Sequence, residues 1–178
     1  MINLTNAVNI KGYMMENELE WLARTARDSK CIVEIGTYYG RSARAMADNT
    51  KGRIYCIDPY PGVVFYQNGV GAISSGNYVY KQAQKLLADH IDSGKLVIHR
   101  GTVTDFPFDI EPDFIFIDGD HVPEAFKIDL EWGEKKIAFG GILSGHDYDN
   151  VGWPAVKELV DARFPTIGRE GYIWWTRR

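Results

Sequence analysis

Short, continuous apolar runs alternate along this chain with longer stretches whose apolar residues recur every three or four positions. The runs are CIVEIG (31–36), RIYCID (53–58), LVIHR (96–100), DFIFID (113–118) and GGILSG (140–145). They are too short for helices and read as buried strands. The stretches between them read as amphipathic helices. Leu19, Leu22, Ala23 and Ala26 share one face of a helix over 16–27, and a short helix is expected over 40–47. Tyr80, Ala83, Leu87 and Ile91 give a face to a helix over 78–91. Phe126, Leu130 and Ile137 do so over 123–137, and Val156, Leu159, Val160 and Phe164 in a helix opening at Pro154. Proline suits that first helical position because its missing N–H would be unpaired there anyway.

Strands alternating with amphipathic helices predict a parallel sheet covered on both faces, an α/β fold. The last stretch, FPTIGREGYIWWTRR, reads instead as two short strands around Arg169-Glu170-Gly171. The expected plan is one domain over 1–178, with five parallel strands closed by an antiparallel hairpin. The segment from Tyr60 to Asn77 fits no predicted element and is long for a compact-domain loop, so it is expected to act as a lid. Gly62, Gly69, Gly71 and Gly76 would permit hinge motion, and Tyr60, Phe65 and Tyr66 would shield a reaction from water.

Charge narrows the partners. The formal net charge is −4, and the only adjacent basic pairs are Lys135-Lys136 and Arg177-Arg178. A nucleic-acid surface needs a basic stripe, so a small-molecule partner is expected instead. No apolar run approaches the ~18 residues of a membrane span, and the opening MINLTNAVNIKGY lacks a signal-peptide pattern, so a cytoplasmic protein is expected. Cys31 and Cys56 lie in strand candidates without a CxxC spacing and read as reduced thiols.

The candidate chemistry gathers where strands meet helices. Glu34-Ile35-Gly36-Thr37-Tyr38-Tyr39-Gly40-Arg41-Ser42 joins the first strand to the following helix. At the carboxyl end of an open α/β sheet, glycines let the backbone approach a ligand. The helix start beyond them offers free N–H groups to an anion. Asp58 ends the second strand about twenty residues later, where an acid accepts hydrogen bonds from adenosyl ribose hydroxyls. That position suits S-adenosylmethionine and NAD alike. Gly36-x-x-x-Gly40 lacks the central glycine of the dinucleotide GxGxxG, which disfavours an NAD-linked oxidoreductase, and no GxxxxGK[ST] occurs. Asp118-Gly119-Asp120-His121 and His146-Asp147 close two further strands on the same rim. They suit Mg²⁺, Mn²⁺ or a turn-capping role. His121 is a candidate proton acceptor for a substrate hydroxyl.

EIGTYYGRS resembles the first motif of class I S-adenosylmethionine-dependent methyltransferases, and especially the cation-dependent O-methyltransferases of catechol-like and caffeoyl substrates. FIDGDH, GGILSGHDY and GWPAVKELVDARFP are similar to the subgroup of macrocin-type sugar O-methyltransferases and cephalosporin-hydroxylase-like proteins, as is the opening GYMMENELEWLA. The resemblance implies a Rossmann-like methyltransferase fold and O-methylation of a small-molecule or sugar hydroxyl. Its motif places Glu34, Gly36, Tyr38, Gly40 and Ser42 at the cofactor, with Ser42 on the methionine carboxylate. Asp58 would take the ribose, and Gly101 with Thr102 would flank the adenine. Asp118, His146 and Asp147 match metal-ligand positions, and Asp118 and His121 are the expected catalytic residues. His146 departs from the acidic residue common there, which leaves open a weaker Mg²⁺ site, another metal or none. The short chain leaves a homo-oligomer partner room to complete the pocket. A cofactor-binding protein without methyl transfer is the remaining alternative.

Overall fold

The computed structural model describes residues 1–67 and 70–178, and of residues 63–74 only the backbone is considered where it is described. The strands are β1 (Cys31–Ile35), β2 (Arg53–Ile57), β3 (Gly62–Gln67), β4 (Val70–Ser75), β5 (Leu96–His99), β6 (Phe114–Ile117), β7 (Ile142–Gly145), β8 (Gly168–Glu170) and β9 (Ile173–Arg177). The helices are α1 (Glu16–Arg27), α2 (Arg41–Ala47), α3 (Gly76–Leu86), α4 (Ala88–Asp92), α5 (Pro123–Lys136) and α6 (Pro154–Arg163), preceded by a 3-10 turn at Ala7–Asn9.

Seven strands form one sheet in the order β5-β2-β1-β6-β7-β9-β8. The first five run parallel, and the β8–β9 hairpin adds the antiparallel edge that the sequence predicts. The chain steps outward from β1 through β2 to β5, then returns to the other side of β1 as β6. That reversal opens a crevice at the carboxyl ends of β1 and β6, where open α/β sheets bind ligands. No helix among the described residues is long and apolar enough to cross a membrane.

Side-chain alternation divides the core in two. Ile32, Ile54, Phe114 and Phe116 face α1 and α2, while Val33, Ile57, Ile115 and Ile117 face Phe126 and Leu130 of α5 and Val156 and Val160 of α6. Successive strand residues point to opposite faces, so runs apolar at every position are needed when helices cover both sides. Cys31 and Cys56 are both free thiols.

Two expectations are corrected. The helix over 78–91 divides at Leu87, whose side chain fills the space left by the absent Cβ of Gly40. It also begins two residues early, where Ser75 accepts the N–H of Tyr78. The stretch from Tyr60 to Asn77 is not featureless, because β3 and β4 pair antiparallel as a separate two-stranded ribbon. Gly69 lies outside the described residues, as do the Phe65 and Tyr66 side chains invoked for shielding.

Leu22 of α1 is fully buried in the core cluster shared with α2. Leu22→Ala should cost about 2–5 kcal/mol through lost burial and a residual cavity. The urea midpoint should fall with an unchanged slope, and an unmoved midpoint would contradict this packing.

Candidate active site

The turn after β1 is held by its own backbone. Gly36 and Gly40 take φ of 89° and 88°, in the left-handed region where a side chain is strained, and Tyr38 sits at 52°. A Cβ on Gly36 would collide with the Asp118 carbonyl at the end of β6. Asp58 closes the turn from below. Its Oδ2 accepts the N–H groups of Thr37 (3.0 Å) and Tyr38 (2.8 Å), and its Oδ1 that of Tyr60 (2.7 Å). Burial pushes the Asp58 carboxyl above its ordinary range, and the three donors offset only part of that. A carboxylate accepts about four hydrogen bonds, so Asp58 keeps about one acceptor position for a ligand.

Glu34 and Gly40 stand behind the turn and do not line the cleft. Glu34 is fully buried, and Ser42 donates its hydroxyl to Oε1 at 2.5 Å. Burial pushes the Glu34 carboxyl up to about 8; the Ser42 hydrogen bond opposes this and the Asp118 charge adds to it. Glu34, expected at the cofactor, reaches beneath the start of α2, where Ser42 donates to it.

The cleft above has a volume of about 960 Å³, at the upper end of small-molecule sites. Gly36, Tyr38, Ser42, Asp58, Gly101, Thr102, Asp118, His121, His146 and Asp147 all line it. The sequence reading missed the N-terminal arm. Gly12, Tyr13 and Met14 border the same cleft, and Tyr13 stacks on Tyr38 with centroids 6.2 Å apart. Arg41 fixes the arm by donating to the carbonyls of Val8 (2.9 Å) and Ile10 (2.7 Å).

The rim holds an alternating chain of acids and histidines. His121 Nε2 lies 2.8 Å from Asp147 Oδ2, and His146 Nδ1 is 3.2 Å from the same oxygen. The other nitrogen of His146 lies 3.2 Å from Glu18 Oε2. Burial alone would lower His146, but Asp147 and Glu18 prevail and push it up to about 10. Burial likewise raises Asp147, yet its two histidine partners hold it well below the ordinary carboxylate range. Asp118 is pushed up to about 6 by burial, against the attraction of both histidines. His121 also stacks on Trp153, with centroids 5.2 Å apart.

Glu18 is the other missed residue. It is 1% exposed in the first turn of α1 and accepts the N–H groups of Met15 (2.8 Å) and Tyr172 (2.8 Å). A glutamate three residues into a helix reads as an N-terminal cap, so only its distant partner His146 reveals a site role.

Asp118, His121 and Asp147 each offer a donor atom, all within 4.8 Å of one another. Two carboxylate oxygens and an imidazole nitrogen fit a divalent cation such as Mn²⁺. His146, expected in this group, lies beside it, with Nδ1 3.8 Å from Asp118 Oδ1 and 3.2 Å from Asp147 Oδ2.

A sheet of this order, with a glycine turn after β1 and an acid after β2, defines a Rossmann-like cofactor-binding protein. The chain matches the family described as methyltransferase domain over residues 33–148, and it belongs to that family. No curated protein matches it in sequence. Among solved structures it is similar to an S-adenosylmethionine-dependent O-methyltransferase from Thermotoga maritima. The TM-score is 0.67 at 10% identity, covering 98% of this chain and 72% of that one. It is also similar to an O-methyltransferase from Bacillus cereus in complex with S-adenosylhomocysteine, at a TM-score of 0.63 and 19% identity, covering 97% and 86%. A third is the O-methyltransferase TomG of Streptomyces achromogenes, involved in tomaymycin synthesis and solved with S-adenosylmethionine. Its TM-score is 0.62 at 18% identity, covering 92% and 79%. At these identities the likeness establishes the fold.

The Glu34 environment gives a pH prediction. A folded value of about 8, above the ordinary 4.5, means the fold favours the acid form. Its contribution to stability is fully present below the unfolded value and is lost as pH rises through about 8. The neutral Glu34→Gln keeps the shape without that titration. Its melting temperature relative to the parent should therefore climb between pH 5 and 8, with Ser42, Thr37, Cys56 and Asp118 unchanged around it. Parallel curves for the two proteins would show that Glu34 is ionised in the fold.

Proposed function

We propose that this chain transfers the methyl group of S-adenosylmethionine to a hydroxyl of a small molecule or sugar. The observation that carries this reading is the cleft over the Gly36–Gly40 turn, open from the Asp58 carboxylate to the His121–Asp147 pair. It brings a nucleoside-binding half and a proton-handling half into one chamber in a methyltransferase-family chain. S-adenosylmethionine and S-adenosylhomocysteine are what two of the similar structures hold. Family membership also takes the ground from the NAD-linked and non-transferring readings.

In this reading Asp58 accepts from a ribose hydroxyl, and the N–H groups at the start of α2 with Ser42 face the methionine carboxylate. Gly101 and Thr102 flank the adenine. The sulfonium methyl is already activated, so the protein mainly aligns donor and acceptor and removes a proton. His121 takes that proton at Nδ1, while Asp147 fixes the ring by accepting from Nε2 and Trp153 stacks against it. Asp118, His121 and Asp147 would hold a divalent cation, which when bound lowers the acceptor hydroxyl's pKa and replaces His121 in that task. The β3–β4 ribbon serves as the lid, supported by its root, where Pro61 and Gly62 line the cleft. The 1–178 chain acts as one cytoplasmic domain on a small acceptor, not on nucleic acid or membrane, and a second copy completes the acceptor side.

Calorimetry with S-adenosylhomocysteine tests the cofactor half. Removing a charged acceptor costs about 1.5–3 kcal/mol, so Asp58→Ala should bind roughly 10- to 150-fold more weakly. Asp58 also clamps the turn, so the comparison is made below the melting temperature of the variant. Unchanged affinity in folded protein would remove Asp58 from the site.

Chelation tests the cation. Methyl transfer to an accepted hydroxyl should fall after chelation and return with Mn²⁺ or Mg²⁺. Full turnover in protein free of metal by elemental analysis would leave His121 as the proton acceptor.

A further inference from the structure

The turn that leads from β7 through His146 and Asp147 towards α6 holds two residues in a strained backbone conformation. Asp147 takes φ of 60° and Asp149 φ of 64°, both in the left-handed region. Glycine would adopt it freely, whereas a residue with a Cβ stays there only where its surroundings hold it. The chain has aspartate at both positions, and both carboxylates are in use. Asp147 reaches His121 and His146, while Asp149 Oδ2 lies 2.7 Å from Arg169 Nη1 on β8.

Between the two aspartates stands Tyr148, which is buried and gripped by the hairpin and by α6. Its N–H donates to the Tyr172 carbonyl (3.0 Å). Its hydroxyl donates to Asp161 Oδ1 (2.7 Å) and accepts from Lys157 Nζ (2.9 Å). The Arg169 guanidinium lies 4.7 Å from the centre of its ring, within the range of attraction between a cation and an aromatic face. Arg169 thus holds two successive residues of the turn, Tyr148 by its ring and Asp149 by its carboxylate. On the cleft side Asn150 donates Nδ2 to Asp147 Oδ1 (2.5 Å), which leaves Oδ2 to the histidines.

Resting on the proton-transfer reading above, we propose that Arg169 and Tyr148 are positioning residues that clamp this turn in its left-handed form and so hold Asp147 against His121. Neither lines the cleft. They act on the reaction only through Asp147, whose hydrogen bond fixes the ring of His121. Without the clamp the turn relaxes towards right-handed backbone and carries Asp147 Oδ2 away from His121 Nε2. A cation on the hairpin edge, outside the chamber, in this way sets the geometry of the proton acceptor.

NMR of protein carrying isotope-labelled histidine, after chelation, reads this contact. An Nε2–H held by a charge-assisted bond to a carboxylate exchanges slowly and resonates at low field. The parent should show that signal for His121, identified by its absence from His121→Gln. Arg169→Ala should lose it. Adding Asp149→Gly to Arg169→Ala should bring it back, because glycine keeps the left-handed backbone without a clamp. A general packing role for Arg169 predicts no such rescue. Affinity for S-adenosylhomocysteine, set at the Asp58 end of the cleft, should stay within about 3-fold of the parent's throughout. The proposal is overturned by a parent without the signal, by Arg169→Ala that keeps it, or by a double variant that does not regain it. A signal lost only together with S-adenosylhomocysteine affinity overturns it too. If Arg169→Ala does not fold, Tyr148→Phe, which removes both hydroxyl contacts, takes its place under the same criteria. A parent that binds no S-adenosylhomocysteine would instead refute the cofactor reading, while the His121 signal still decides the positioning.

Discussion

The approach of two backbones at the ends of β1 and β6 sets the terms for everything above the sheet. Gly36 lies against the Asp118 carbonyl so closely that no Cβ fits, and the Asp118 N–H reaches back to the Ile35 carbonyl at 2.7 Å. This contact falls where the strand order reverses, so the turn after β1 and the acid after β6 must share one crevice. Asp58 completes it from β2 by taking two N–H groups of that turn. Three neighbouring strands thus fix a chamber whose floor is hydrogen-bonded backbone, and its shape does not depend on long side chains.

Charge on the rim follows a second logic. Carboxylates this poorly hydrated need compensation, because isolated buried charge is costly. Here the compensation is internal: the acids Glu18 and Asp147 alternate with His146 and His121 along one connected path. The path ties α1 to the strand ends, and Glu18 also holds the hairpin through the Tyr172 N–H. The N-terminal helix is therefore part of the site as well as a cover for the sheet.

The strands and most of the helices were legible because burial on two faces leaves a simple trace: runs apolar at every position, separated by 3.6-residue periodicity. Phe126 and Leu130, chosen from that periodicity, are core residues of α5, and Val156 and Val160 are core residues of α6. The break at Leu87 was not legible from periodicity, which runs on through Ile91; there Leu87 packs against Gly40, forty-seven positions away. The β3–β4 ribbon escaped notice because its glycines dilute the alternation of a strand, although Asn68-Gly69 between two such runs is a hairpin signal.

The sequence by itself determined the fold class, the placing of Gly36, Asp58, Asp118 and Asp147 at strand ends, and the methyltransferase resemblance. Those features are local, since they depend on periodicity and on which residues follow a strand. Only the tertiary structure decided how the chemistry is shared. It placed Glu34 behind the turn, set His146 between Glu18 and Asp147, put His121 between Asp118 and Asp147, and brought Tyr13 to the cleft. The physical reason is that a buried ionisable side chain takes its state from whichever charges and donors pack against it. For this rim, those partners come from α1, the β8–β9 hairpin and the turn after β6, brought together by the sheet rather than by any local pattern.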